Sequence, residues 1–228
     1  MQQLRMRTEQ QSQKAPSVAP MRFEPVVHLV NGDIVNLIAE TPKRYEERVS
    51  FGKSGLIAER ISPALWLAHE VELAAQIAYR EAATARPILI QAPIAAMMHP
   101  DTPMACDAAA ARGKICPQEI CIEVEDAALA QSRNDIVKSI EALRRRGFRV
   151  GINATRSWCT PLDTGLRLML DCVRVDARAL WSNEDLMSRI DAAVACGMAV
   201  IAENAHYRDG DDLAEIGVEL AVRPRADA

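Results

Sequence analysis

Apolar residues alternate with polar ones, or run together, in eight short stretches that are typical of β-strands. The first two stretches flank Asn31-Gly32-Asp33, a sequence that favours a tight turn with positive φ. We therefore expect the first two strands to form an antiparallel hairpin. The eight predicted strands span residues 23–30, 34–39, 87–92, 119–124, 148–152, 172–176, 198–202 and 218–222.

Six segments with apolar residues three or four positions apart predict helices between the later strands. Their ends carry ordinary signals: Asn183 is a good N-cap, and Gly147, Gly197 and Gly217 suit the left-handed position after a helix. The predicted helices span residues 63–83, 103–112, 132–146, 161–170, 183–196 and 209–216.

The order of these elements predicts the fold. Six of the seven connections between strands are helical, and repeated strand–helix units imply parallel pairing through right-handed crossovers. Eight such strands predict an α/β fold, a closed TIM-like (β/α)8 barrel. A doubly wound open sheet is the alternative, but no GxGxxG motif follows the first strand. The opening hairpin favours a barrel whose second strand is reversed.

Two stretches lie outside this pattern. Residues 1–20 are polar and rich in Gln, and their composition predicts a flexible tail, with a short partner-binding arm as the alternative. The barrel domain is then expected to span residues 21–228. Residues 41–62 are polar and irregular, and Phe51-Gly52-Lys53-Ser54-Gly55 lacks the upstream glycine of a phosphate-binding loop.

Charge and composition exclude several classes of function. The 228 residues include 27 Lys and Arg and 31 Asp and Glu, and this net charge of −4 argues against binding to a nucleic-acid polymer. The chain has no apolar run long enough for a membrane helix and no apolar secretory signal, so we expect a cytoplasmic protein. The six cysteines show neither CxxC pairs nor zinc-site spacing, so free thiols are expected.

Polar side chains follow most of the predicted strands. In a (β/α)8 barrel, the C-terminal ends of the strands carry the chemistry. Acidic residues at three of these ends would ordinarily indicate a divalent-metal site. The polar residues at the strand ends are Glu40, Gln91, Glu123, Asp126, Asn153, Arg174, Asp176 and Glu203.

Four short motifs resemble those of the EAL domain family, the cyclic di-GMP phosphodiesterases and their degenerate relatives. Residues 23–29, FEPVVHL, resemble the family's opening Tyr-Gln-Pro-Ile-Val-Asp-Leu, with Gly32 at the right spacing. Residues 122–129, IEVEDAAL, resemble Leu-Glu-Ile-Thr-Glu-Ser-Ala-Leu. Residues 174–176 resemble Lys-Ile-Asp, and residues 200–204 resemble Val-Val-Ala-Glu-Gly. The resemblance covers about residues 21–224 and implies an EAL-type barrel in bacterial cyclic di-GMP signalling.

The resemblance also implies that several family groups are lost. The signature Glu, a metal ligand, corresponds to Ile38, and the Arg that contacts substrate phosphate corresponds to Pro42. The ligand Asn corresponds to Gln91, and the paired aspartates correspond to Asn153 and Ala154. Isoleucine and alanine offer no metal ligand and asparagine is neutral. Without three carboxylates, Mg²⁺ has little reason to lose its hydration water at this site.

What remains is a vestigial site of five residues: Glu123, Asp126 as a shortened Glu, Arg174, Asp176 and Glu203. Arg174 stands where the resemblance places a catalytic Lys, and a guanidinium does not readily release a proton. Glu123 and Asp126 have a second interpretation, in which they cap the turn after their strand. Trp158 takes the place of the family's flexible loop and is a candidate plug of the mouth or contact for a partner.

The sequence thus predicts a catalytically inactive EAL-like domain with no metal and no cofactor. We expect it to act as a regulatory or scaffold protein through contacts with a protein partner. A non-hydrolysing cyclic di-GMP receptor is the alternative. An active phosphodiesterase that uses an unusual set of metal ligands is the third hypothesis.

Overall fold

The structure, a computed structural model, describes residues 21–41 and 62–224. Eight strands close into one barrel in chain order, which confirms the predicted TIM-like fold. The strands are β1 (Arg22–His28), β2 (Ile34–Glu40), β3 (Ile88–Ala92), β4 (Ile120–Glu125), β5 (Arg149–Asn153), β6 (Cys172–Asp176), β7 (Ala199–Glu203) and β8 (Leu220–Val222). The predicted tail (1–20), the segment 42–61 with its phosphate-loop-like stretch, and Pro42 lie outside the described residues.

The reversed strand is β1, so the expectation that the second strand would be reversed is wrong. Strand β1 is antiparallel to both β2 and β8, whereas β2 is parallel to β3. The predicted hairpin itself is present: His28 N donates to Asp33 O at 2.9 Å, and Gly32 has a φ of 74°. A tight turn shows only that two strands run in opposite directions. The later parallel pairing decides which of them is reversed.

Helices surround the barrel. The longer ones begin and end close to their predicted bounds, and Asn183 caps its helix by accepting from Leu186 N at 3.1 Å. The helices are α1 (Pro63–Arg80), α2 (Ile94–Met97), α3 (Thr102–Gly113), α4 (Asp126–Gln131), α5 (Arg133–Arg145), α6 (Thr164–Arg167), α7 (Ala177–Leu180), α8 (Glu184–Ala195) and α9 (Gly210–Glu215). Short 3-10 turns cover Pro117–Glu119 and Tyr207–Asp209.

Short helices account for most of the differences from the predicted elements. Helices α2, α4 and α7 begin one or two residues after a strand and have six residues or fewer, so a period of 3.6 residues cannot be seen in them. The helix predicted over 161–170 is only the four residues of α6, and the backbone of Asp163, directly before it, is extended. Asp163 begins α6 by accepting from Leu166 N at 2.9 Å.

The core has two parts. The larger one lies between the barrel and the helices, and the smaller one fills the barrel interior with residues that include Val26, Ile38 and Leu89. Gly151 faces this interior, where a Cβ would lie 2.6 Å from the Sγ of Cys172. Glycine is therefore required on β5, because the thiols of Cys121 and Cys172 meet in front of it, 3.7 Å apart. Within the described residues, no helix is long and apolar enough to cross a membrane.

Candidate functional site

Three of the predicted site residues converge at the mouth of the barrel. Arg174 on β6 donates from Nε to Glu123 Oε1 at 3.0 Å and from Nη2 to the other oxygen of the same carboxylate. Its Nη1 donates to Glu203 Oε1 at 2.7 Å. The guanidinium thus lies between a carboxylate from β4 and one from β7. Glu123 is 1% exposed and Arg174 is 7% exposed, so most of this ion cluster is shielded from water.

The charges of this cluster depend on one another. Burial raises the pKa of the Glu123 carboxyl, because the charged form loses hydration, and the attraction of Arg174 works against that rise. Burial alone would lower the pKa of Arg174, but the carboxylates of Glu123 and Glu203 outweigh it and the pKa is raised. The guanidinium is therefore firmly charged and is the counter-ion of both acids.

Asp126 is buried as well, but it serves a different part of the mouth. Its carboxylate accepts from Cys159 N at 2.6 Å and from Thr160 N at 2.9 Å, and Thr160 Oγ1 donates to its backbone oxygen. The second interpretation, in which Asp126 caps the turn after its own strand, does not hold, because these bonds run to the loop that follows β5. Asp126 therefore fixes that loop over the barrel.

Asp176 contacts Arg178, its near neighbour in the sequence. It is the N-cap of α7, accepting from Arg178 N at 3.0 Å, and it also forms an ion pair with the Arg178 side chain. The hydrogen bonds from Arg178 hold the pKa of this carboxyl below its usual range. Of the five residues predicted to form a vestigial site, the structure thus brings three together and gives Asp126 and Asp176 structural partners elsewhere.

Of the five positions expected to have lost the family's groups, four lie within the described residues: Ile38, Gln91, Asn153 and Ala154. Ile38 is buried in the apolar interior, and Ala154 is buried just beyond β5. Asn153 uses its Oδ1 to accept from Thr155 N and Thr155 Oγ1, at 3.1 and 2.8 Å. Over residues 21–41 and 62–224, no three His, Cys, Asp or Glu side chains are grouped so that they could hold a metal ion.

Two clefts that are lined by described residues adjoin at this end of the barrel. The first, of about 250 Å³, is polar and is lined by residues that include Asn153, Arg156 and Arg174. The second, of about 270 Å³, has an apolar side that includes Trp66 and Ile94. Gln91 and Glu125 line both clefts, so the two adjoin.

The three tryptophans have different environments. Trp66 is buried, Trp158 is half-buried against the core, and Trp181 is 57% exposed. Trp158 lies on the loop held by Asp126 and lines a third cleft, of about 220 Å³, between that loop and α8. It is therefore part of the wall beside the mouth.

Two glutamates, Glu24 and Glu40, lie on the β1 side of the mouth. Glu24 forms an ion pair with Arg223 at 3.0 Å and lies diagonally across the β1–β2 ladder from Glu40. Burial, followed by the negative charge of Glu40, raises the pKa of Glu24, while Arg223 opposes the rise. The sequence pattern indicated Glu40 as a strand-end residue but not Glu24, because β2 and not β1 was expected to be the reversed strand. The alternation with Val26, which faces the interior, was the available signal.

In sequence comparisons, no family model and no curated protein matches the chain. Solved structures do match over most of it. BlrP1 from Klebsiella pneumoniae, in a manganese and cyclic di-GMP complex, has a TM-score of 0.69 at 16% identity, over 89% of this chain and 53% of BlrP1. The present chain thus spans about half the length of that protein.

Two other neighbours are covered over most of their length. The EAL domain of Mycobacterium smegmatis DcpA has a TM-score of 0.67 at 14% identity, with 89% of both chains covered. A standalone EAL protein from Vibrio cholerae O395, in a cyclic di-GMP-bound form, has a TM-score of 0.65 at 19% identity, over 89% of this chain and 88% of its own. These likenesses agree with the resemblance of the four sequence motifs. The described chain therefore has the fold of the EAL domains.

Proposed function

We propose that this barrel is a catalytically inactive EAL-type domain that acts as a regulatory or scaffold protein in cyclic di-GMP-related signalling. BlrP1 and the Vibrio cholerae protein, which share its fold, are described with cyclic di-GMP bound, and this supports the signalling context. The domain works through contacts with a protein partner.

The position of Arg174 is the observation that carries this proposal. Hydrolysis of a phosphodiester by two metal ions needs carboxylates that face the ions. Here the guanidinium of Arg174 already pairs with both Glu123 and Glu203. It supplies positive charge, but unlike a metal ion it has no coordination position for a substrate oxygen. A dication at these carboxylates would displace Arg174, and a nearly buried guanidinium would then lose its counter-ions.

The neighbouring positions support the same conclusion. Ile38 and Ala154 provide no oxygen or nitrogen side-chain ligand, and the amide oxygen of Asn153 is engaged by Thr155. The barrel keeps its fold without this chemistry, and a fold can persist as a binding scaffold. Large apolar side chains such as Tyr79, Leu168 and Trp181 are exposed on its surface, and aromatic residues are enriched in protein interfaces.

An assay of cyclic di-GMP hydrolysis tests the loss of activity. Purified full-length protein with Mg²⁺ or Mn²⁺ should give no linear dinucleotide above the background of a heat-denatured sample. The matched variant is Glu123→Gln, which removes the carboxylate charge at nearly constant volume. Turnover in the unaltered protein that disappears in Glu123→Gln would overturn the proposal.

A non-hydrolysing cyclic di-GMP receptor is the second candidate, favoured by the two adjoining clefts. Their shared border at Gln91 and Glu125 joins a polar compartment with Arg156 to an apolar one with Trp66, a combination that suits phosphates and bases. The carboxylates of Glu40 and Glu203 at the same mouth oppose an anionic ligand.

Isothermal titration of the full-length protein with cyclic di-GMP separates the two candidates. The scaffold proposal expects no heat of binding at tens of micromolar ligand. A micromolar isotherm that weakens in Arg156→Ala, an exposed residue of the polar cleft, would establish the receptor instead.

A further inference from the structure

Two thiols meet in the interior of the barrel, near the starts of their strands. The Sγ atoms of Cys121, the second residue of β4, and Cys172, the first residue of β6, lie 3.7 Å apart, and the two residues are 0% and 6% exposed. Gly151 on β5, the strand between them, leaves the space in which they meet. A Cβ at this position would lie 2.6 Å from the sulfur of Cys172 and 3.4 Å from that of Cys121. The cysteines are 51 positions apart in the chain, so their spacing in the sequence gives no sign of the pair.

The strands hold the two cysteines too far apart for a disulfide. That bond needs Cα atoms within about 6.8 Å of each other. Strand β5 pairs with both β4 and β6, so the cysteines stand two strand spacings, roughly 9 Å, apart. A single atom between the sulfurs removes this difficulty. Thiolates bind metal ions at about 2.3 Å, so one ion can contact both sulfurs at their present separation, with an S–metal–S angle of about 107°.

The number and type of ligands decide which ion fits. Among residues 21–41 and 62–224, no third His, Cys, Asp or Glu joins the pair to form a metal-ligating group. Structural Zn²⁺ takes four ligands, and Mg²⁺ and Ca²⁺ take oxygen ligands. Thiolates select soft ions, and among these Cu⁺ is satisfied by two sulfur ligands. The linear geometry that such an ion prefers puts the sulfurs about 4.6 Å apart, which rotations of about 20° about the two Cα–Cβ bonds provide.

We propose that Cys121 and Cys172 form a two-thiolate site for a soft monovalent metal ion, Cu⁺. On binding, each thiol releases its proton to water and its sulfur donates an electron pair to the ion, which keeps its oxidation state. Apolar side chains of the interior, such as Val26, Ile38 and Leu89, exclude water from the ion. The bound ion joins β4 to β6 across β5, and it thereby couples the stability of the barrel to the supply of copper. The proposal is independent of the function proposed above, because it uses none of the residues at the mouth.

Anaerobic titration of the full chain with Cu⁺, in competition with a chromogenic Cu⁺ chelator, tests the proposal. The exposed cysteines are first replaced, as Cys116→Ser/Cys159→Ser/Cys196→Ser, so that they do not compete for the ion. This parent protein should retain one Cu⁺ per chain and melt at a higher temperature when loaded. Its X-ray absorption spectrum should show two sulfur neighbours of copper at about 2.3 Å. Zn²⁺, which needs further ligands, should not be retained.

Two matched variants each remove one buried thiol from the parent protein. Cys172→Ala should weaken the retention of Cu⁺ by more than about 100-fold, since loss of even an outer-shell partner of a metal ligand costs about 10–100-fold. Cys106→Ala, which removes the buried thiol of α3, should leave retention unchanged.

Four results would overturn the proposal. They are no retained Cu⁺ in the parent protein, retention as strong in Cys172→Ala, nitrogen or oxygen neighbours of copper in place of the two sulfurs, and retention of Zn²⁺ as strong as that of Cu⁺. A purified protein lighter by two hydrogen atoms would also overturn it, because the thiols would then form a disulfide. The absorption spectrum is measured with both cysteines in place, so it tests the site even if Cys172→Ala does not fold.

Discussion

Replacing Arg174 by methionine should destabilise the protein strongly. The change leaves the carboxyl of Glu123, 1% exposed, without the guanidinium that makes two hydrogen bonds to it, and frees Glu203 at the edge of the cluster. Removing one partner of a buried ion pair typically costs about 3–5 kcal/mol, because the other charge stays buried and unpaired. For a domain of this size, the melting temperature should fall by about 6–20 °C.

The loss should depend on pH. In Arg174→Met, burial still raises the pKa of Glu123 and the opposing attraction is absent, so the folded state holds the proton more tightly than the unfolded state does. The variant's stability is then greatest at low pH and is lost as pH rises through the folded pKa. Urea unfolding followed by circular dichroism at pH 5 and pH 8 should therefore show a larger deficit at pH 8.

Two control variants distinguish the loss of the ion cluster from a nonspecific loss of stability on substitution. Arg174→Met/Glu123→Gln removes both charges together and should recover most of the lost free energy, since no buried charge remains unpaired. Arg145→Met removes an exposed ion pair with Glu141 and should cost less than about 1 kcal/mol. A small loss in Arg174→Met, or a double variant no more stable than the single one, would refute the assigned role of Arg174.

Three further predictions address other parts of the barrel. Gly151→Ala should lower the free energy of unfolding, measured in urea, by about 1–3 kcal/mol, because the new Cβ would lie 2.6 Å from Cys172 Sγ. Adding Cys172→Ala to the same chain should restore most of this loss. Losses from the two substitutions that simply add would contradict the prediction. Asp176→Asn should flatten the fall in melting temperature below about pH 4, because Arg178 lowers the pKa of Asp176, so its stabilising contribution is present at neutral pH and is lost on acidification. Identical pH profiles of the two proteins would count against this. Burial raises the pKa of Cys106 to about 12, so iodoacetamide should alkylate it only after denaturation, and alkylation of the native protein would contradict its burial.

Most of the fold could be predicted because it depends on periodicity. Strand β7, Ala199–Glu203, begins with four consecutive apolar residues directly after a helix that ends near Gly197. Repeated strand–helix order then leaves few arrangements other than a barrel. The direction of β1 could not be predicted in this way. It depends on pairing with β8, at the far end of the chain, and no local pattern records such a contact.

The site was predictable as a set of residues but not as a network. Strand-end position identified Glu123, Arg174 and Glu203, and their ion cluster follows from the register of β4, β6 and β7. The bonds of Asp126 to the loop after β5 span more than thirty residues, so sequence spacing suggested a local cap instead. Glu24 was missed because the side of a strand that faces the mouth is known only once the strand's direction is known.

The reversed strand also has a consequence for how the chain folds. Closure of the barrel requires β1 to pair with Leu220–Val222, almost the whole described chain away, through only three residue pairs. Contacts of such long sequence separation form slowly, because the chain between them must first be ordered. Until β8 has been synthesised, β1 and β7 are open edges that can pair with other chains. Strand β8, the last strand of the barrel, thus protects the open edge of β1 from aggregation.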